Sequence, residues 1–250
     1  MRTTLVSALA LLAASMNSFA ITTINDDKRQ RQIPIAVSQP IKHQACTTGK
    51  QCSVAFINAG YGVEHTQYQC ISNKLNELGY LSVAIGHELP SDPPLSISGN
   101  LFETRQENWQ RGAKTVQVVR EHLAKRYPNY DFNKLMLLGH SNGGDISSLL
   151  ASQGVTFISD IITLDHRRVP LPRAKNIRVL SIRASDFAAD LGVLPTEQEQ
   201  KSQGSCVVKI AQSKHNDMSD YGPDWLKSRI TLLVEKHIKG ATCSTLKAIN

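Results

Sequence analysis

The fold is decided by one stretch in the middle of the chain, Leu135-Met136-Leu137-Leu138-Gly139-His140-Ser141-Asn142-Gly143-Gly144. Its first four residues are apolar, the pattern Gly-x-Ser-x-Gly follows them, and a helical segment begins after it. This order predicts a buried strand, a sharp turn and a helix. Glycine at 139 and 143 lets neighbouring backbone pass close to the turn, which would hold Ser141 in a strained conformation with its hydroxyl exposed. We therefore predict that Ser141 is a nucleophile.

Strand and helix patterns alternate on both sides of this turn. Apolar runs predict strands at residues 33–37, 53–58, 81–85, 135–138, 158–164, 177–182 and 207–211. Helical spacing predicts helices over residues 68–78, 116–123, 145–152 and 225–238, and a polar lead at 22–32 precedes the whole pattern. Such alternation is typical of the α/β class, in which helices cover both faces of a mostly parallel sheet. The first strand, 33–37, is expected at the sheet edge.

The turn and its position resemble the nucleophile elbow of the α/β-hydrolase family, and the resemblance extends from about Ile33 to the closing helix. The resemblance implies an α/β-hydrolase fold and a Ser-His-Asp triad in which the acid and then the histidine follow the serine. His215 lies in the polar loop between the last strand and the final helix, where the family carries its general base. A histidine in this place can remove the serine proton and return it to a leaving group.

Two carboxylates compete for the role of the triad acid. The segment from Asp190 to Val193 resembles the local Asp-x-x-Val pattern of the family, whereas Asp186 lies at the usual distance past the penultimate strand. We slightly favour Asp190. A third candidate, Asp165, ends the preceding strand.

The resemblance also implies an oxyanion hole of two backbone N–H groups, one from Asn142 and one from Tyr61 in the turn after the first long strand. Many family members carry His-Gly at that turn, where this chain has Ala59-Gly60. Without a catalytic role, the segment would simply be a tight glycine-rich turn. Arg167, Arg168 and Arg183 would lie at the same mouth, where they could bind an anionic group or form ion pairs.

Residues 1–20 combine a basic start, an apolar run and the small-residue ending Ser18-Phe19-Ala20, which predicts a cleavable signal peptide followed by one domain, residues 21–250. The expected location is secreted or periplasmic. The five cysteines make one or two disulfides plausible in such a compartment. Spacing does not fix the connectivity, although Cys46 and Cys52 could close a local loop and Cys206 and Cys243 could tie down the terminal helical region.

The net charge of +7 comes from dispersed Lys and Arg residues, so we predict a solvated basic surface and no nucleic-acid partner. No stretch after the signal peptide is long and apolar enough to span a membrane, and no cysteine or histidine spacing is typical of a metal site. We predict no metal and no cofactor. The sequence does not determine the oligomeric state.

The short segment between the strand that ends at Leu164 and the next strand leaves no room for a large lid. A shallow site favours small carboxylic esters, cleaved through an acyl-enzyme. The same triad also cleaves amides, so a peptidase or amidase is the first alternative. An exported binding protein that keeps the fold without turnover is the second.

Overall fold

The computed structural model describes residues 20–40 and 46–249. The predicted signal peptide lies outside the described residues except for Ala20, which begins the first strand. None of the helices within these ranges has the length and apolar character needed to cross a membrane.

The described residues form an eight-stranded sheet in the order β1-β2-β4-β3-β5-β6-β7-β8. Only β2 runs against the other strands, because it pairs antiparallel with both β1 and β4 while the remaining pairs are parallel. The strands are β1 Ala20–Asp26, β2 Arg31–Ser38, β3 Val54–Asn58, β4 Leu81–Ile85, β5 Leu135–His140, β6 Ile158–Leu164, β7 Arg178–Arg183 and β8 Ser205–Lys209.

Helices cover both faces of this sheet, as the alternating pattern predicts. The helices are α1 Gln69–Glu77, α2 Leu101–Thr104, α3 Gln106–Arg126, α4 Asn142–Ser152, α5 Glu197–Gln203, α6 Asp224–Ile238 and α7 Cys243–Ala248. Apolar side chains of α3 and α4, such as Trp109 and Ile146, belong to one buried cluster. Those of α1 and α6, such as Leu75 and Leu233, belong to a second cluster on the opposite face. Burial of these two apolar layers stabilises the sheet between them.

The N-terminal region differs from the prediction. The polar lead contains β1, which forms a hairpin with β2, so the 33–37 strand lies inside the sheet and not at its edge. Only Ile24 and Asp26 of β1 are buried. An edge strand with so few buried positions carries little apolar signal, which explains why the sequence pattern missed it.

Two disulfides match the pairings that spacing made plausible. Cys46 is bonded to Cys52, and Cys206 at the start of β8 is bonded to Cys243 at the start of α7. The second bridge fastens the last helix to the sheet edge. Cys70 carries a free thiol.

Between β6 and β7 the described chain contains no helix. The space above the carboxyl ends of β5, β6 and β7 is therefore not covered by a helical insertion from this connection. These strand ends carry the polar side chains described next.

Candidate active site

Ser141 occupies a sharp turn between β5 and α4. Its backbone has φ 49° and ψ −119°, a region that non-glycine residues rarely adopt, and its N–H donates to the carbonyl oxygen of Leu164 at 2.8 Å. A Cβ at Gly139 would lie 2.3 Å from the carbonyl oxygen of Gly143, and one at Gly143 would lie 2.1 Å from that of Asn58. Glycine is therefore required at both positions, and the turn pushes Ser141 out above the sheet.

His215 begins a short 3-10 turn in the loop after β8. Its Nε2 lies 2.9 Å from Ser141 Oγ, and its Nδ1 lies 2.6 Å from Asp165 Oδ2. Because a carboxylate only accepts hydrogen bonds, Nδ1–H donates to Asp165 and Nε2 is free to accept the proton of the serine hydroxyl. Serine, imidazole and carboxylate thus form one hydrogen-bonded chain.

The structure corrects the predicted acid, because neither Asp190 nor Asp186 contacts the His215 ring. The Asp190 carboxylate is 43% exposed and forms an ion pair with Arg168. Asp186 accepts from the backbone N–H of His215 at 2.9 and 3.1 Å, so it orders the loop and not the ring. Asp165, the third candidate, is fully buried beside the imidazole.

Position in the sheet explains this outcome. Asp165 directly follows β6, the neighbour of β5, and its φ of 51° turns the chain sharply at the strand end. Its carboxylate therefore lies close to the elbow. The segment that carries Asp190 instead runs back to the β6–β7 connection, where the Asp190 N–H donates to the Arg167 carbonyl oxygen at 2.9 Å.

A buried arginine holds the far side of the Asp165 carboxylate. Arg183, the last residue of β7, places Nη2 2.7 Å from Asp165 Oδ1, and the N–H of Ala184 donates to the same oxygen at 3.0 Å. Arg183 Nη1 also donates to the carbonyl oxygen of His166. Burial lowers the pKa of Arg183, and the neighbouring Asp165 charge opposes this effect. Each Asp165 oxygen therefore has a partner.

A second chain of hydrogen bonds runs beneath the site through His140, the residue before the serine. His140 Nε2 lies 3.0 Å from the carbonyl oxygen of His215, its Nδ1 lies 2.9 Å from Tyr68 Oη, and Tyr68 Oη accepts from the Gly60 N–H at 2.9 Å. Burial, reinforced by nearby His215, lowers the pKa of His140 to about 4. The neutral ring donates through Nε2 and accepts from Tyr68 through Nδ1. Sequence reasoning missed this link between the two loops.

The two predicted oxyanion donors are the N–H groups of Asn142, the first residue of α4, and of Tyr61, in the turn after β3. Neither the Asn142 N–H nor the Tyr61 N–H donates a hydrogen bond within the part of the chain that the structure describes. The Asn142 amide accepts from Trp109 Nε1 at 2.8 Å and donates to Asn108 Oδ1 at 2.8 Å. Tyr61 is 42% exposed, and its hydroxyl accepts from the Leu95 N–H at 3.1 Å. Their role in an oxyanion hole stays a prediction.

A cavity of about 220 Å³ opens beside the Tyr61 turn and is lined by Ala59, Gly60, His65, His87 and Glu88, among others. None of Ser141, His215 and Asp165 lines it. Among the described residues, no group of three or more His, Cys, Asp or Glu side chains is arranged to hold a metal ion.

The arginines predicted at the mouth have different surroundings. Arg168 and Arg183 are engaged in the ion pairs with Asp190 and Asp165. Arg167 stacks on the Phe187 ring at 4.5 Å from its centroid, and that ring meets His215 edge-on at 5.7 Å. Two of these three arginines therefore form ion pairs.

Solved structures of several hydrolases are similar to this one. Dienelactone hydrolase from Anabaena variabilis matches with a TM-score of 0.61 at 11% identity, over 90% of this chain and 99% of that one. S-formylglutathione hydrolase from Agrobacterium tumefaciens matches with a TM-score of 0.61 at 12% identity, over 91% and 96%. Esterase 2 from Thermogutta terrifontis, phosphoramylated by tabun, matches with a TM-score of 0.60 at 13% identity, over 88% and 93%.

No protein-family model matches the sequence, and no curated protein is similar to it in sequence. At such low identities the structural likeness establishes the fold. The strand order, the reversed β2 and the elbow after β5 give the chain the α/β-hydrolase fold, which confirms the prediction made from the central stretch.

Proposed function

We propose that this chain is an exported serine hydrolase that cleaves carboxylic esters through the triad Ser141, His215 and Asp165. The observation that carries the proposal is the unbroken hydrogen-bonded chain, 2.9 Å from Ser141 Oγ to His215 Nε2 and 2.6 Å from His215 Nδ1 to Asp165 Oδ2. That chain begins at a serine held in a strained elbow, which is the arrangement an activated nucleophile requires.

The reaction follows from the positions of the donors and acceptors. His215 Nε2 takes the hydroxyl proton as Ser141 Oγ attacks the ester carbonyl, and the Asp165 carboxylate stabilises the imidazolium that results. The N–H groups of Asn142 and Tyr61 receive the oxyanion. His215 then protonates the leaving alcohol, and water repeats the sequence to release the acid from the acyl-enzyme.

Two observations support an ester as the substrate. The similar solved structures include an esterase and a dienelactone hydrolase. The connection between β6 and β7 carries no helical lid, so a small acyl group would reach Ser141 without displacing one. An amide substrate would use the same groups. Rates of cleavage of an ester and of an anilide with the same acyl group distinguish the two functions.

Export is part of the same proposal. The first twenty residues have the three regions of a signal peptide, and two disulfides favour an oxidising compartment. N-terminal sequencing of protein recovered outside the cytoplasm is expected to begin at Ile21. Full-length protein retained in the cytoplasm would contradict this part.

Labelling with a fluorophosphonate probe and peptide mapping tests the catalytic part. Esterase 2 from Thermogutta terrifontis is modified by an organophosphorus compound, which makes this class of probe suitable. We expect label on Ser141 in the wild-type protein and in Ser202→Ala, an exposed serine of α5, but not in Ser141→Ala or His215→Ala. A folded wild-type protein that stays unlabelled would favour the binding-protein alternative.

A further inference from the structure

We propose that the Arg183 guanidinium, by binding the Asp165 oxygen that faces away from His215, keeps His215 unprotonated and active to a lower pH than Asp165 alone would allow. This inference rests on the function proposed above. It assigns Arg183 as a positioning residue that acts through Asp165, since the guanidinium does not touch the reacting atoms.

The geometry places three charged or ionisable groups in one buried row. Arg183 Nη2 lies 2.7 Å from Asp165 Oδ1, and Asp165 Oδ2 lies 2.6 Å from His215 Nδ1. The side chains are 5%, 0% and 9% exposed for Arg183, Asp165 and His215. Solvent therefore screens the row weakly, and each group responds to the charge of the next.

Charge balance decides the direction of the effect. A carboxylate beside a catalytic imidazole favours the protonated ring, because the two opposite charges attract. Here the Arg183 cation already neutralises that carboxylate. The row has no net charge while His215 is neutral and a net charge of +1 once His215 binds a proton, so protonation is less favourable than in an isolated Asp-His pair.

Other ionisable groups surround the row without replacing Arg183. From β5, His140 is neutral because burial lowers its pKa to about 4, and from the β6 end the buried His166 has its pKa lowered to about 3. Asp186 accepts a hydrogen bond from the backbone N–H of His215, and Arg167 stacks on the Phe187 ring. Lys214 and Asp217 lie within two residues of His215 in the chain. Burial raises the pKa of Asp145, in α4, to about 6. Among the described residues, only Arg183 forms an ion pair with the Asp165 oxygen that His215 leaves free.

A purely structural role makes a different prediction. Arg183 Nη1 donates to the His166 carbonyl oxygen, so its loss also loosens the β6–β7 connection. Loosening would lower activity at every pH without moving the acid limb of the pH profile. Loss of the charge would move that limb to higher pH and leave the alkaline plateau less affected.

The test compares pH profiles of kcat/KM for 4-nitrophenyl acetate, and of the rate of fluorophosphonate labelling, between about pH 4.5 and 9. The variants are Arg183→Met and Arg183→Gln, which lack the charge, and Arg183→Lys, which keeps it. Arg178→Met is the matched control, because Arg178 begins the same strand and pairs with Asp160 away from the site. Circular dichroism reports whether each variant is folded.

We expect the acid limb of both neutral variants to move upward by about one pH unit, the size of effect that a buried neighbouring charge produces. Arg183→Lys and Arg178→Met should keep the wild-type limb, even if Arg183→Lys is slower overall. Neutral variants that lose activity equally at all pH values would overturn the inference. If neither neutral variant folds, Arg183→Lys alone tests the inference. Because this variant keeps the positive charge, an acid limb that moves by as much as a pH unit would overturn the inference. Absence of wild-type turnover and labelling at every pH would instead contradict the proposed function itself.

Discussion

The two sides of Ser141 are built from different kinds of interaction. On the histidine side, defined by Asp165, Arg183 and His215, full charges are buried and paired with one another. On the oxyanion side, defined by Asn108, Trp109 and Asn142, neutral amide and indole groups are joined by hydrogen bonds of 2.8 Å. The Glu88 carboxylate, 24% exposed, accepts from Asn108 Nδ2 at 3.0 and 3.2 Å at the margin of this group. Both sides are buried, so the contrast is one of charge and not of solvent access.

This difference predicts different roles for the two sides. Buried charges respond to protonation and to one another over several ångströms, so under the proposed function the histidine side would control the pH at which Ser141 is activated. Neutral amides have no such response, but they fix the start of α4 and hence the direction of the Asn142 N–H. Substitutions on the two sides should therefore fail in distinguishable ways.

The largest effect is expected from Asp165→Asn. The amide loses the charge that stabilises the imidazolium and disturbs the His215 tautomer, so kcat should fall by roughly 10³ to 10⁴. Asp190→Asn removes an exposed ion pair with Arg168 and should change kcat by about twofold or less. Steady-state kinetics of the two variants check this, and a large loss in Asp190→Asn with an active Asp165→Asn would reverse our assignment of the acid.

An intermediate effect is expected on the oxyanion side from Trp109→Phe. The change removes the N–H that donates to the Asn142 amide oxygen and leaves that buried oxygen without its indole partner, which costs about 1–3 kcal/mol. We expect kcat to fall about tenfold, because the start of α4 is less well fixed, with no displacement of the acid limb. Trp225→Phe makes the same change at a residue that is 49% exposed and should leave kcat unchanged. If the acid limb of the Trp109→Phe profile moved along the pH axis, the two sides would not differ in the way proposed here.

The smallest effect concerns stability in acid, which depends on buried ionisable groups outside the two sides. Burial lowers the pKa of His140 to about 4 and that of His87, whose Nε2 lies 2.9 Å from Asn58 Oδ1, to about 3. Between pH 6.5 and those values the unfolded chain binds protons that the folded chain excludes, so stability falls as pH falls. Asp145, whose pKa burial raises to about 6, gains protons when folded and offsets part of this loss.

We therefore expect Tm to drop by roughly 10 °C between pH 7 and pH 4.5, measured by calorimetry at constant ionic strength. His140→Gln and His87→Gln should each flatten this slope, since each removes one excluded proton. A Tm that rises on acidification would show that carboxyl groups such as Asp145 outweigh the histidines.

The sequence predicts the elbow well because its requirements are local. Glycine is required at 139 and 143 because a Cβ at either position would lie within 2.3 Å of a backbone oxygen. The strand, the turn and the helix also follow one another directly in the chain. His215 is predictable for a related reason, since it follows the last strand in a loop of limited length. The hairpin strand β1 was missed because an edge strand with few buried residues has no strong apolar pattern.

The carboxylate that pairs with the His215 ring was not predictable in the same way. Asp165, Asp186 and Asp190 all follow strands that end near the elbow, and which of them reaches the imidazole depends on how each loop folds back. One local signal was present: Asp165 directly follows the apolar run of β6, without the intervening residues that separate Asp186 and Asp190 from β7. The Arg183 pair and the contact of Tyr68 with His140 depend on distant segments meeting, which no pattern along the chain encodes.

The left-handed backbone at Ser141 and Asp165 has a consequence for how far this chain can be stabilised. Both residues have φ near 50°, where glycine is favoured over a residue with a side chain, and such conformations cost of order 1–3 kcal/mol each. Glycine at either position would relieve this cost and would also remove one member of the proposed triad. A more heat-resistant variant that keeps both side chains would therefore need its added stability elsewhere, in loops, surface charges or additional cross-links.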